Sequence, residues 1–275
     1  MIILIQCTDR IGLVAAIAGV MTRKKLNIIS MREHVDKQSN RFFARIVSEQ
    51  YSDESVLLKD IQSVLPHDAL IGINPGTEKK VIVMVTKEYH CLSDILVRNH
   101  FKTLGAQVQC VIGNHDVLKE ICERFGIPFY TVEHENKSKK EFESAILEII
   151  NNYQHDYLVL AKFMRILSPE FVDLFPMRIV NIHHSFLPAF IGANPYRQAH
   201  IRGVKLIGAT AHFVTNALDE GPIIDQRIIP INHTYTTEDM INAGKEVEKS
   251  VLAKSLKMLF EDRIFVHNNK TVVFE

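Results

Sequence analysis

The strongest constraint on the fold is a regular alternation of apolar runs with helical patterns, which begins at Val81. The first run, residues 81–85, is apolar throughout, as is typical of a parallel strand covered on both faces. Helical patterns follow near residues 92–104, 117–125 and 139–152, and the apolar stretches between them predict strands at 107–112, 129–132 and 157–161. This alternation predicts an α/β domain with a doubly wound, mostly parallel, Rossmann-like sheet that binds ligands at the carboxyl ends of its strands.

The residues before Val81 carry a different pattern. Strands are predicted at 2–7, 27–35, 41–48 and 69–73, with helices from residue 13 and over 54–64. The order βαββαβ is that of a small ferredoxin-like domain. Because Pro75 and Gly76 punctuate the stretch that follows, we predict a first domain at 1–74, a linker at 75–80 and a second domain at 81–275.

Polar side chains are predicted to come together at the end of a strand that begins at Ile179. Asn181 and His183 are two residues apart, so a strand sends both to the same side of the sheet. A further predicted strand, 208–214, leads into a turn that brings Asp219 back to the sheet, so that all three lie at the carboxyl ends of strands. Asn181 can donate to a developing oxyanion, His183 can donate or move a proton, and Asp219 can orient the histidine or deprotonate a nucleophile.

This set suits acyl chemistry on a carbonyl carbon with an external nucleophile. Ser185 is not set between glycines, as a serine nucleophile on a strand-to-helix turn is, so water is the simpler nucleophile. The alternative interpretation is that Asn181 and the histidines only cap the end of a strand.

Metal chemistry is the other reading of these histidines. His183, His184 and His212 are the best candidates for metal ligands, but no compact motif such as His-Glu-x-x-His surrounds them, and Asp219 is the only acid expected nearby. We therefore predict no metal and no cofactor.

A ligand pocket is predicted after the strand at 157–161. A short run follows this strand and lies at the same end of the sheet as Asn181: Met164, Arg165, Ile166 and Leu167. Three apolar side chains beside one arginine suit a flat apolar ring system with a charged tail. Alternatively, Ile166 and Leu167 are simply core residues.

Composition limits the partners. Thirty-two basic side chains balance thirty-two acidic ones without a basic cluster, which argues against a nucleic-acid partner. The apolar start, residues 1–5, is too short to span a membrane and lacks a basic leader, and four scattered cysteines fit a reducing compartment, so we expect a cytoplasmic protein. Residues 86–94 contain no glycine, which disfavours a phosphorylated second substrate at that loop.

Longer motifs carry a family resemblance. Residues 181–192, 208–214 and 218–224 resemble the signature of the formyltransferase fold that uses 10-formyltetrahydrofolate. Within that fold, the pair His183-His184 and residues 192–196 are most similar to the formyltetrahydrofolate deformylases. The resemblance implies hydrolysis of 10-formyltetrahydrofolate to formate and tetrahydrofolate, which supplies formate for purine synthesis and balances the one-carbon folate pools.

The resemblance also implies residue roles. Asn181 and His183 hold the oxyanion, and Asp219 accepts a proton from water and keeps His183 in its working charge state. The residues expected to bind the folate are Met164, Arg165, Ile166, Leu167, Val214 and Gly192. Two alternatives stay open: formyl transfer to an amine acceptor, and a non-catalytic regulator that senses amino acids.

The first domain resembles the ACT domain, through residues 9–14 and Asn27. The resemblance implies an amino-acid effector, such as glycine or methionine, bound by Asp9, Arg10, Gly12, Leu13 and Asn27. The glycine lets a ligand approach the backbone, and the helix N-terminus there favours a carboxylate. Alternatively, Gly12 only permits a tight turn and the domain mediates association between chains, and we expect a homo-oligomer.

Overall fold

The computed structural model describes residues 1–50, 52–74, 78–188 and 195–275. Contacts divide them into two compact units, one built mainly from Met1–Thr77 and the other mainly from Glu78–Glu261. Among the described residues, no helix is both long and apolar enough to cross a membrane.

The first unit is an antiparallel four-stranded sheet with two helices. Its elements are β1 (Ile2–Thr8), α1 (Leu13–Arg23), β2 (Ile28–Asp36), β3 (Arg41–Ser48), α2 (Glu54–Gln62) and β4 (Leu70–Asn74). The strands lie in the order β2-β3-β1-β4. Ile3 and Ile5 of β1 share one fully buried core with Ile17 of α1 and Ile61 of α2, because the period of each element turns these side chains inward. The predicted βαββαβ order is confirmed.

The second unit is a seven-stranded sheet with helices. Along the chain it contains β5 (Lys79–Val85), α3 (His90–His100), β6 (Ala106–Gly113), α4 (Lys119–Arg124), β7 (Phe129–Thr131), α5 (Lys139–Ile150), β8 (Tyr157–Leu160), α6 (Pro169–Asp173), β9 (Ile179–His183), α7 (Pro195–Arg202), β10 (Leu206–Phe213), β11 (Ile223–Pro230) and α8 (Thr237–Phe260). The sheet order is β11-β10-β9-β8-β5-β6-β7. The five strands from β9 to β7 are parallel, which confirms the mostly parallel doubly wound sheet.

Strands β10 and β11 run against this direction. β10 pairs antiparallel with β9, so that Phe213, at the end of β10, lies opposite Val180 near the start of β9. β10 therefore ends at the opposite edge of the sheet from the carboxyl end of β9, although the sequence predicted that both strands end at the same edge. The loop after β10 must instead return along the sheet to bring Asp219 to the end of β9.

The predicted boundaries differ from the observed ones in places. Lys79 and Lys80, which were predicted to belong to the linker, begin β5, because their backbones pair with Ala106 and Gln107 of β6. Residues 75–77 of that linker lie outside the described residues. Helices α6 and α7 and strand β11 were not predicted at all.

The end of the chain returns to the first unit. β12 (Ile264–His267) and β13 (Lys270–Val273) form a two-stranded sheet that is separate from the sheet of seven strands. Asp262–His267 and Val272–Glu275 group with the first unit, which differs from the predicted second domain at 81–275. The physical reason is aromatic packing: Phe265 and Phe274 are buried with Phe43 of β3, and the ring centroids of Phe43 and Phe265 are 5.6 Å apart.

Candidate active site

A cavity of about 320 Å³ lies where β8 and β9 end. One side is formed by residues 162–167 after β8, and the other by residues 214–216, 218 and 219 in the loop after β10. Asn181, His183, His184 and His212 also line it. The three predicted catalytic residues thus share one cavity with the predicted folate-binding segment.

Asn181 is held by a histidine from the neighbouring strand. The register of β9 and β10 sets Asn181 opposite His212, and Asn181 Nδ2 lies 3.2 Å from His212 Nε2. His212 Nδ1 lies 2.8 Å from the carbonyl oxygen of Phe213, which can only accept, so the proton is on Nδ1 and Nε2 accepts from the amide. Burial lowers the pKa of His212, which agrees with a neutral ring. This hydrogen bond fixes the amide plane and leaves the second hydrogen of Nδ2 for a ligand.

Asp219 lies beside the histidines because the loop after β10 turns back tightly. The loop closes at Gly221, where an added Cβ would lie 1.8 Å from the carbonyl oxygen of Phe213, so only glycine fits. Asp219 itself adopts a left-handed backbone, with φ of +57°. Its Oδ1 lies 3.4 Å from His183 Nδ1 and 3.7 Å from His212 Nε2. The hydrogen bond with His183 lowers the pKa of Asp219, against the opposing effect of its burial.

His183 has one ring nitrogen engaged and the other open. Nδ1 faces Asp219, whereas Nε2 is buried and has no hydrogen-bond partner within the described residues. A buried polar atom without a partner is unfavourable, and in a cavity it marks a position where a ligand atom completes the hydrogen bond. The imidazole is therefore set to contact a polar ligand atom on the side away from Asp219.

The turn after β9 is fixed by a buried threonine. Thr210 Oγ1 donates to the carbonyl oxygen of Ser185 at 2.8 Å and accepts from the backbone N–H of Leu187 at 3.1 Å. Gln226 Nε2 donates to the same Oγ1 at 2.9 Å and to the carbonyl oxygen of Leu187 at 3.0 Å. These bonds hold the chain that leaves His183 and His184, so the positions of both rings are set by β10 and β11.

Comparison with known proteins agrees with the motifs. The formyl transferase family model matches residues 79–256, and the ACT domain model matches residues 1–66. The chain is 49% identical over 272 residues to the formyltetrahydrofolate deformylase of Haemophilus influenzae, covering 99% of this chain and 98% of that protein. The chain belongs to the formyltetrahydrofolate deformylase family. This confirms the predicted family and its enzyme class, a hydrolase.

Solved structures agree. The crystal structure of a formyltetrahydrofolate deformylase from Pseudomonas syringae superposes with a TM-score of 0.94 at 38% identity, covering all of this chain and 94% of that one. Glycinamide ribonucleotide transformylase 1 from Symbiobacterium toebii superposes with a TM-score of 0.69 at 29% identity, covering 74% of this chain and 96% of that one. The deformylase likeness thus includes both domains, whereas the transformylase covers less of the chain.

The predicted folate-binding residues differ in exposure. Met164 and Ile166 are 53% and 63% exposed, unusual for apolar side chains beside a cavity, whereas Leu167 is buried in the core. Two contacts hold this segment: the backbone N–H of Met164 donates to Thr86 Oγ1 at 2.9 Å, and the backbone N–H of Ser168 donates to the buried Glu143 at 2.7 Å. The alternative that both Ile166 and Leu167 are core residues therefore applies to Leu167 alone.

Two further residues that were predicted to bind the folate, Val214 and Arg165, also line the cavity. Val214 lines the cavity, and its backbone N–H donates to the carbonyl oxygen of Ile179 at 2.9 Å. Arg165 is exposed and lines the same cavity. Gly192 lies outside the described residues.

Asp9, Arg10 and Gly12 lie in the turn between β1 and α1, and Leu13 begins α1, whereas Asn27 follows the far end of α1 and lies just before β2, so it does not join the other four predicted effector residues. Gly12 precedes the helix with a φ of +91°, which only glycine adopts readily. Leu13 is 3% exposed and belongs to the core, so its side chain faces away from any ligand at this loop. Arg10 donates to the carbonyl oxygen of Val64 at 2.8 Å. The backbone N–H groups of Asp9 and Asn27 donate to Asn40 and Gln50.

Sequence reasoning missed two residues of the site. His212 was considered only as a metal ligand, although its strand alternation with Thr210 is visible in the sequence. Lys162 was not singled out from the sequence, and no local pattern indicates that it would be buried beside the cavity.

Proposed function

We propose that this chain hydrolyses 10-formyltetrahydrofolate to formate and tetrahydrofolate, the reaction that the names of its relatives indicate. The contacts of His183 carry the assignment of these residues. Asp219 lies beside one ring nitrogen, and the other is buried, has no hydrogen-bond partner within the described part of the chain and lies in the same cavity as Asn181.

The catalytic step follows from these contacts. A water oxygen bonds to the formyl carbon while Asp219 accepts one of its protons, because the low pKa keeps this carboxylate ionised. The formyl oxygen becomes an oxyanion that accepts from Asn181 Nδ2 and from Nε2 of His183, whose ring carries a proton on both nitrogens because Nδ1–H donates to Asp219. The bond from carbon to N10 then breaks, Asp219 passes the proton that it took from water to N10, and formic acid leaves and ionises.

The substrate is held by the segments on either side of the cavity. We propose that the exposed apolar groups of Met164 and Ile166 pack on the flat pterin ring and that Val214 contacts its other side. Arg165 would face the negatively charged tail of the folate. Gly192 belongs to the same proposal through its motif alone.

A direct assay tests this function. Purified protein is mixed with 10-formyltetrahydrofolate, and formate is measured with and without a chelator such as EDTA. We expect formate release that is unchanged by the chelator, because the mechanism needs no metal. Absence of formate would favour the non-catalytic regulator, and a formylated product after addition of glycinamide ribonucleotide would favour formyl transfer.

The wider proposals concern the cell and the first domain. We propose a cytosolic enzyme that supplies formate for purine synthesis and balances one-carbon folates, in keeping with its free, buried cysteines.

The ACT domain suggests an amino-acid effector, and we propose glycine or methionine near Gly12. We also propose a homo-oligomer, which light scattering of the purified chain measures.

A further inference from the structure

A second cluster of buried charges lies beside the catalytic cavity, and the proposed mechanism does not use it. Glu248 of α8 is 1% exposed, and three side chains surround its carboxylate. His90 Nε2 lies 2.7 Å away, Lys162 Nζ lies 3.2 Å away, and the Tyr196 hydroxyl donates at 2.8 Å. We call these four residues the Glu248 cluster.

The Glu248 cluster is an ion pair with supporting hydrogen bonds. Burial alone would raise the pKa of Glu248, but the hydrogen bond from His90, the charge of Lys162 and the Tyr196 hydroxyl together lower it to about 2. His90, Cys91 and Glu248 place possible metal-ligating atoms near one another. The Lys162 ammonium already supplies a positive charge to Glu248, and burial raises the pKa of the Cys91 thiol, so these residues do not make a good cation site.

Lys162 belongs to both places. It is 7% exposed, lines the cavity with Asn181 and His183, and extends its ammonium to Glu248. Its backbone has a φ of +64°, a conformation in which glycine is favoured over any residue with a Cβ. Burial of the lysine charge and the positive φ of its backbone are both unfavourable, and residues with such features are typical of functional positions.

The Glu248 cluster is connected to the catalytic His183 through the ring of His184. The ring of His184 lies 5.2 Å from that of His183 and 6.2 Å from that of Tyr196. Tyr196 in turn packs against Gly244 of α8, where an added Cβ would lie 2.0 Å from its hydroxyl oxygen. Within the described residues, Tyr196 therefore packs tightly between α8 and the ring of His184.

We propose that Lys162, held by Glu248, closes the side of the cavity from which an amine acceptor would reach the formyl carbon, and so restricts the second reactant to water. This inference rests on the proposed hydrolysis and names the residue that decides its nucleophile. An attacking atom must come within about 3–3.5 Å of the reacting carbon. Water takes up only about 30 Å³ and fits, whereas an amine brings its substituents with it.

The competing reaction defines the measurement. An amine nitrogen bonds to the formyl carbon, the bond from carbon to N10 breaks, and the proton lost by the amine ends on N10. The products are a formylated amine and tetrahydrofolate, instead of formate and tetrahydrofolate. The ratio of formylated amine to formate reports the choice of nucleophile and does not depend on how much enzyme is active.

The test uses the full-length protein, 10-formyltetrahydrofolate and excess glycinamide, a small primary amine, with both products quantified by mass spectrometry. Wild type should give formate, with formylglycinamide at the enzyme-free background. Lys162→Gly removes the side chain at a backbone position that suits glycine, and it should raise the ratio at least about tenfold, the scale on which removing a steric barrier relaxes specificity.

A matched control is available at Lys102, another lysine with a positive φ, +57°, which is exposed and outside the cavity lining. Lys102→Gly should keep the wild-type ratio. If Lys162→Gly does not fold, Lys162→Ala carries the same expectation, and Glu248→Gln, which removes the charge that holds the Lys162 ammonium in place, should raise the ratio in the same direction.

The outcomes separate cleanly. A folded, hydrolysing Lys162→Gly or Lys162→Ala protein with the wild-type ratio overturns the inference, as does a wild type that formylates glycinamide readily. A wild type that releases no formate instead contradicts the proposed hydrolysis itself.

Discussion

Asn181 divides its two amide hydrogens between the protein and the substrate. One is directed to His212 Nε2, and the other remains for the oxyanion. We expect Asn181→Ala to lower kcat by about two to three orders of magnitude, the usual scale for one oxyanion donor, with little change in folate affinity. Steady-state formate release and equilibrium binding of tetrahydrofolate measure the two effects.

The matched control for this variant is Asn152→Ala, since Asn152 is exposed and its Nδ2 donates only to the carbonyl oxygen of Glu148 in the preceding helix, within the described residues. It should keep the wild-type rate. Near-normal turnover of Asn181→Ala would remove this residue from the mechanism.

Asp219 sets the acid limit of the reaction. Its pKa is lowered below 3.8 by the hydrogen bond with His183, so it stays ionised as the pH falls and is protonated only below that value. We therefore expect no loss of kcat/KM from this group between pH 7 and about pH 5, and Asp219→Asn should lower kcat by about 10²–10⁴. A pH–rate profile of wild type checks this, and an acid limb with a midpoint near pH 6 would contradict it.

At the scale of elements, helix α8 places the carboxylate of Glu248 in the interior of the second unit, where it is 1% exposed. The Glu248 pKa is lowered from 4.5 to about 2, so its carboxylate stabilises the folded state above pH 4.5, and this contribution is lost as the pH falls towards about 2. Glu248→Gln leaves the Lys162 ammonium buried without its counter-charge. We expect the free energy of unfolding at pH 7 to fall by roughly 3–5 kcal/mol, and its decline between pH 4.5 and 2 to become shallower.

Urea unfolding at several pH values measures both effects. Glu246→Gln is the matched control, because Glu246 lies on the same helix with a side chain that is 73% exposed and pairs only with Lys249 among the described residues. Exposed pairs contribute little, so this variant should change stability by less than about 1 kcal/mol. Equal destabilisation by both variants would show that the buried pair has no special role.

Elements were predictable where one segment carries its own signal. The apolar run of β5 and the capping box of Ser138 and Glu141 before α5 are local patterns, and both elements form where expected. The direction of β10 was not predictable, because an apolar strand has the same pattern in parallel and antiparallel sheets. The Glu248 cluster was invisible for a related reason: its members come from α3, α7, α8 and the turn after β8, and only the fold brings them together.

The same distinction applies to the site. Asn181 and His183 were found because the period of one strand relates them, and the motif identified Asp219 although its route through a reversed strand was unexpected. Met164 and Ile166 were identified by a run of sequence, but only the structure separates them from the buried Leu167.

At the scale of the whole molecule, the first unit offers a place for control. The ACT model matches it, and Gly12 places a glycine with a φ of +91° before α1. We expect isothermal titration of the full chain with glycine or methionine to detect binding, and Gly12→Ala to weaken it at least about tenfold, since a Cβ is disfavoured at this φ. Gly126→Ala, at a φ of +68° in the second unit, is the control. Absence of binding for every amino acid would leave the unit a structural one.

The aromatic cluster of Phe43, Phe265 and Phe274 also has a consequence for synthesis. Domains usually fold in the order in which the ribosome delivers them, the N-terminal one first. Here Phe43 is translated early, but the two rings that pack on it follow the entire sheet of seven strands in the chain. The N-terminal module therefore stays incomplete until the second unit has been translated.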